Sequence, residues 1–152
     1  MIATAQSIED LSLNITEEIH VKAPIAVTFA ALLEELGPAF ANLEGQSMMS
    51  KIEPWPGGRW YRDLGDNNGH FWGVVQAIKK PTLLEISGPL MMSFAVVNNV
   101  QYRLSEVPGG TLIKFHHQAF GQIQPDHRDG MPKGWTMISE RVRARAEAAV
   151  KK

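Results

Sequence analysis

The chain contains no cysteine. Disulfide staples, thiolate metal sites and cysteine nucleophiles are therefore excluded. It also lacks a dominant charge: 15 basic and 16 acidic side chains leave a formal net charge of −1. No global positive field exists to collect a phosphate backbone, so nucleic-acid binding is not expected. No apolar run approaches the roughly 18 residues that would suggest a membrane span. The stretch Met1–Asp10 shows no basic segment followed by an apolar one, so no secretory signal is read there and a cytoplasmic location is expected. Repeats, low-complexity tracts and linkers are absent as well. So are a phosphate loop, a dinucleotide fingerprint, an HExxH pair and a serine-centred elbow. No cofactor and no metal site are expected.

What the chain does have is a globular composition, with 44% apolar and 20% charged residues in 152 positions. A domain of this size buries about 68–70% of the surface its unfolded chain exposes. One domain over 1–152 is expected, with 1–10 loosely ordered.

Periodicity supplies the elements. Over Ser12–Lys22, Leu13, Ile15, Ile19 and Val21 share one parity, which predicts a half-buried strand. Glu17 breaks that apolar row. Pro24 pre-sets a helix start, and Ile25, Phe29, Leu32, Leu33 and Leu36 fall on one helical face that Gly37-Pro38 closes. A second short helical piece is expected over Ala39–Leu43. From Met48 the period becomes two, predicting strands over Met48–Glu53, Gly58–Asp63, Phe71–Lys79 and Thr82–Ser87. Asp66-Asn67-Asn68-Gly69 is turn chemistry, since Asn, Asp and Gly tolerate positive φ. Val100, Tyr102 and Leu104 alternate with polar neighbours, and so do Ile113, Phe115 and His117 after the Pro108-Gly109-Gly110 turn. Gly134-Trp135 opens a final helix whose stripe is Trp135, Ile138, Val142, Ala146 and Ala149. This order is α+β. An antiparallel sheet with one apolar face needs a cover, and the final helix is the element long enough to supply it.

Four features occur in a telling order: the strand-to-helix passage Ile19–Pro24; the turn and strand Pro56-Gly57-Gly58-Arg59-Trp60; Gly110-Thr111 with His117 and Gly121 beyond; and Gly134-Trp135. In these the chain resembles the START-like (SRPBCC) superfamily, and within it the family similar to the C-terminal domain of the activator of Hsp90 ATPase. The resemblance runs over nearly the whole chain. It implies a helix-grip fold, β-α-α-β6-α, in which a curved seven-stranded antiparallel sheet wraps the long C-terminal helix. It also implies that the first and last strands are adjacent and that a cavity lies between sheet and helix. The Hsp90 activator carries a further N-terminal Hsp90-binding domain that these residues do not contain, so a chaperone contact is not expected. A homodimer is left open.

Candidate chemistry follows from parity. His117 shares the inward parity of Ile113 and Phe115. It can anchor a ligand carbonyl, act as an acid or base, or be a core histidine satisfied by backbone or water. If the first and last strands pair as the fold implies, Glu17 approaches His117 and holds it protonated to higher pH; a bulge turning Glu17 outward is the alternative. His116 faces the other side, and Asp126, His127 and Asp129 read as a solvated loop. Arg59 and Arg62 flank Trp60-Tyr61 and can hold an anion or form a solvated face. Leu90-Met91-Met92-Ser93-Phe94 has no clean period and suits either the rim of a cavity, because methionine adapts to irregular gaps, or a strand or loop edge packed on the core. The candidate cavity lining is Phe29, Trp60, Trp72, Met91, Met92, Phe94, Tyr102, Phe115, His117, Trp135, Ile138 and Val142, although most of the Trp and Phe side chains are expected to be plain core. The leading expectation is a domain that binds a small apolar, aromatic or lipid-like molecule. A cyclase- or hydrolase-type enzyme using His117 with Glu17 or Tyr102 is the alternative. A protein-interaction module linked to stress response or chaperones is the third reading.

Overall fold

A computed structural model describes residues 7–151. The elements, in chain order, are β1 (Ser12–Val21), α1 (Ile25–Leu36), β2 (Ser50–Ile52), β3 (Arg59–Gly65), β4 (Asn68–Lys79), β5 (Leu83–Gly88), β6 (Val96–Val107), β7 (Gly110–Gly121) and α2 (Pro125–Ala149). Of the expected loose start, residues 1–6 lie outside the described residues, and a turn over Ser7–Leu11 leads into β1.

The strands form one antiparallel sheet in the order β1-β7-β6-β5-β4-β3-β2. From β2 to β7 it is a meander in which every strand pairs with its chain neighbour, and β1 closes on β7. The adjacency of first and last strands and the helix-grip architecture stand as expected. Two consecutive residues at positive φ, Asp66 and Asn67, make the two-residue turn between β3 and β4, which carries β4 back to Asn68.

Parity puts Leu104, Tyr102 and Val100 of β6 and Ile113, Phe115 and His117 of β7 on the covered face. Trp135, Ile138, Val142 and Ala146 of α2 lie against that face, all buried. Full burial of a side chain the size of Ile138 or Val142 stabilises the fold by about 1.5–3 kcal/mol, so α2 is part of the core. Two aromatic clusters fill the space. Phe40, Trp60 and Trp72 meet with ring centroids 5.2–5.8 Å apart, and Phe115 lies between Tyr102 and Trp135 at 4.9 and 4.8 Å. Glu35 of α1 accepts from Arg145 Nε at 2.6 Å, joining the two helices.

Two expectations are corrected. Ala39–Leu43 is not helical; the segment turns, with a bridge between Ala41 and Ser47. The Asn42 side chain accepts the backbone N–H groups of Glu44 and Gln46, an alternative to helical bonding. Arg141 of α2 takes the carbonyls of Ala41 and Asn42 at 2.9 and 3.2 Å. The stretch holding Asp126, His127 and Asp129 is not a loop but the start of α2. Pro125 occupies a first-turn position, where its missing N–H costs nothing, and Asp126 favours the helix N-terminus. Arg128 fixes this extension by donating to the carbonyls of Ser12 and Asp10 at 2.9 and 3.0 Å. Pro132 sits inside the helix and is tolerated there.

Candidate functional site

Among the described residues, a strongly apolar cleft of about 230 Å³ lies between the start of α2, the segment Phe40–Met48 and the loop that follows β5. Its wall is formed by Met48, Met91, Met131, Met137, Trp135 and Ile138, with Phe40 and Leu43 completing it. Four of the seven methionines in the chain converge here, which gives the cleft a deformable lining. Asn42 and Glu44 also border it. Asn42 spends its side chain on the turn, so the exposed Glu44 supplies the charge at the rim. A wider depression of about 690 Å³ runs beside the second half of α2, but it is open and walled by alanines and by Arg141, Arg145 and Glu35. A ligand would lose less water contact there than in the cleft.

Behind the cleft lies a buried polar chain. Trp135 Nε1 donates to His117 Nδ1 at 2.9 Å, and His117 Nε2 lies 2.7 Å from Asn98 Oδ1. Because Nδ1 accepts, the ring proton stands on Nε2 and is donated to Asn98. Asn98 Nδ2 then donates to the carbonyls of Gly88 and Pro89 at 3.1 and 3.2 Å. The chain runs from α2 through β7 and β6 to the loop that carries Met91. Gly88 is required at its end: a Cβ there would lie 2.5 Å from both Gly73 Cα and Trp72 O, and φ is +158°. His117 is fully buried, and burial lowers its pKa to about 4, with the neighbouring His116 charge acting in the same direction.

A second polar group sits under α2. Glu17 accepts hydrogen bonds from Thr136 Oγ1 at 2.9 Å and from Ser139 Oγ at 2.5 Å. The Tyr102 hydroxyl is buried with no hydrogen-bond partner among the described residues. Burial pushes its pKa up, and the Glu17 charge adds to that.

These placements revise the expected site. Glu17 and His117 are not a pair. Ile15 stands opposite His117, and Glu17 stands opposite Phe115. Glu17 does point toward the helix, but its partners are hydroxyls, while both nitrogens of His117 are committed elsewhere. The expected rise in the His117 pKa is a fall, because desolvation acts without a nearby carboxylate to oppose it. Of the expected lining, Met91, Trp135 and Ile138 border the cleft. Phe29, Trp60, Trp72, Tyr102, Phe115 and Val142 are core. Met92 belongs to a smaller cluster with Leu13, Val96 and Ala119. Phe94 is half-exposed, its ring edge-on to His127. Sequence reasoning missed Phe40, Leu43, Met48, Met131 and Met137. Met131 was hidden by its Gly-Met-Pro context, which reads as a turn.

Comparison with known proteins gives the fold. No protein-family model and no curated protein matches the chain. Among solved structures it is similar to an uncharacterized protein from Rhizobium leguminosarum, at 21% identity and a TM-score of 0.66, covering 90% of this chain and 95% of that one. It is also similar to an AHSA1-like protein from Aeromonas hydrophila, at 19% identity and a TM-score of 0.64, covering 92% and 96%. A third is the di-domain ARO/CYC StfQ from the steffimycin biosynthetic pathway, at 12% identity and a TM-score of 0.65, covering 95% of this chain and 54% of that one. These likenesses define the fold class alone, a helix-grip architecture, and the resemblance read from the sequence holds at that level. Among the described residues, no helix is long and apolar enough to cross a membrane.

Proposed function

We propose that the protein binds a small apolar molecule in the methionine-lined cleft. The observation that carries this reading is the convergence of Met48, Met91, Met131 and Met137 with Trp135 on one concavity. The volume of about 230 Å³ limits the ligand. Pockets for drug-sized molecules run to roughly 300–1,000 Å³, and an apolar cavity of about 150 Å³ holds benzene. A single substituted ring or a short hydrocarbon chain is therefore the fitting size. The fold is shared with an ARO/CYC protein of a biosynthetic pathway, which is consistent with a small-molecule role. An enzyme built on Glu17 with His117 loses its support, because the two side chains belong to separate hydrogen-bonded groups.

The test is a panel of single-ring aromatics and medium-chain alcohols against protein labelled at methionine methyls. At a free concentration one hundred times Kd, a ligand stabilises the native state by roughly 2.7 kcal/mol, raising Tm by roughly 5–11 °C for a domain of this size. The methyl signals of Met48, Met91, Met131 and Met137 should move with it, and that of Met92, buried in a smaller cluster that of the four only Met131 packs against, should move less. A panel that moves neither Tm nor these four signals refutes the reading. So does a ligand that moves all methionines alike.

A further inference from the structure

The hairpin of β3 and β4 carries a polar notch of about 450 Å³, and none of its residues lines the methionine cleft. Three fully charged side chains border it: Arg59, Arg62 and Asp63. Two of them are already neutralised. Arg59 grips Glu53 through Nε and Nη2 at 2.8 and 3.1 Å, and its guanidinium lies 4.6 Å from the centre of the Tyr61 ring. Asp63 accepts from Lys51 Nζ at 2.7 Å. Both pairs lower the carboxyl pKa values concerned, so both carboxylates stay ionised and occupied. Arg62 forms no ion pair among the described residues, and its Nε is buried with no hydrogen-bond partner among them.

The residue opposite Arg62 on β4 is His70. Trp72 Nε1 donates to His70 Nδ1 at 3.2 Å, so Nδ1 is the acceptor and the ring proton stands on Nε2. The indole thus sets the tautomer, leaving the second nitrogen as a donor on the residue that pairs with Arg62 across the hairpin. An unspent guanidinium fork and an imidazole N–H on adjacent strands match the two oxygens of an oxyanion. A guanidinium N–H left without an acceptor is costly, so Arg62 gains by turning its fork toward an incoming oxygen.

We propose that Arg62 and His70 form a binding site for the carboxylate or phosphate group of a small molecule. The site is separate from the cleft and does not depend on it. The test titrates the intact chain with sodium acetate and with inorganic phosphate at constant ionic strength, using sodium chloride as the control. The arginine Nε–H and imidazole signals are followed by NMR. Arg62 and His70 should shift saturably with acetate, phosphate or both, and which of the two does so names the source of the oxyanion. Arg62→Gln should weaken binding at least about tenfold, and Arg62→Lys, which keeps the charge but loses the fork, should weaken it by a smaller factor. His70→Ala should also weaken it, with the fold verified by the dispersion of the amide spectrum. Shifts that do not saturate, shifts that chloride reproduces, or equal binding by the Arg62→Lys protein would overturn the proposal.

Discussion

Lowering pH should weaken the fold through His117. In the folded chain the imidazole is fully buried and its pKa is about 4, against an ordinary value of 6.5. Between those values the unfolded chain binds a proton that the native state refuses. Stability rises with pH wherever the unfolded state holds more protons. The contribution of His117 is therefore complete above pH 6.5, falls as pH drops below it, and levels off below about 4. The gap corresponds to roughly 3 kcal/mol, at 1.36 kcal/mol for each pH decade. The structural reason is that Nδ1 must accept from Trp135. A protonated ring would present N–H to N–H at that position, in a site with no carboxylate partner for it. The assay is urea unfolding of the wild-type and His117→Gln proteins between pH 7 and pH 4, alongside NMR titration of the ring. Wild type should lose about 3 kcal/mol more than the variant over that range, since every other titrating group is common to both. An imidazole that titrates at 6.5 or above, or equal losses in the two proteins, would refute the reasoning.

Other changes test neighbouring parts of the same core. Asn98→Ala removes the acceptor of His117 Nε2 and the donor to the Gly88 and Pro89 carbonyls, and should cost about 1–3 kcal/mol in urea unfolding. It should also broaden the Met91 methyl signal, because the loop loses its tether; an unchanged midpoint and a sharp Met91 signal would count against the chain. Tyr102→Phe deletes a hydroxyl that is buried without a partner among the described residues, so stability should hold or rise by up to about 1 kcal/mol. A clear loss would mean that the hydroxyl is hydrogen-bonded in solution. Met91→Trp should fill the cleft and abolish the ligand-dependent rise in Tm while leaving the unliganded midpoint near that of wild type; a retained rise would place the ligand elsewhere.

The fold was legible because its signals are local. Two-residue alternation over β6 and β7, the Asp66-Asn67 turn and the 135–146 stripe each report a period or a backbone preference that the chain expresses where it stands. The segment 125–133 was not legible, for the opposite reason. Its Asp, Gly and Pro residues favour a turn, and the helix forms there because Arg128 reaches the carbonyls of Asp10 and Ser12, more than a hundred positions away. The segment after α1 fails as a helix through a similar long-range contact, from Arg141.

The site tests a harder inference, from facing inward to meeting. Parity placed both His117 and Glu17 toward the helix, and that much is observed. It says nothing about who stands opposite whom, which depends on the β1–β7 register; there, two positions separate the residue facing His117 from Glu17. Nor does it say which turn of α2 passes over each of them. Trp135 comes over His117, and Thr136 and Ser139 come over Glu17, so one helix divides the two polar residues between different partners. The same placement gives Trp135 two duties. One part of it walls the cleft, and its N–H locks the neutral tautomer of His117 behind that wall. A molecule entering the cleft would press on the helix residue that the buried chain ties to β7, β6 and the Met91 loop. If the cleft is the binding site proposed above, His117 supports its wall through Trp135 and is not offered to the ligand, since both ring nitrogens are already bonded. Its replacement should change how firmly the cleft is held, and with it the affinity for polar and hydrocarbon ligands alike.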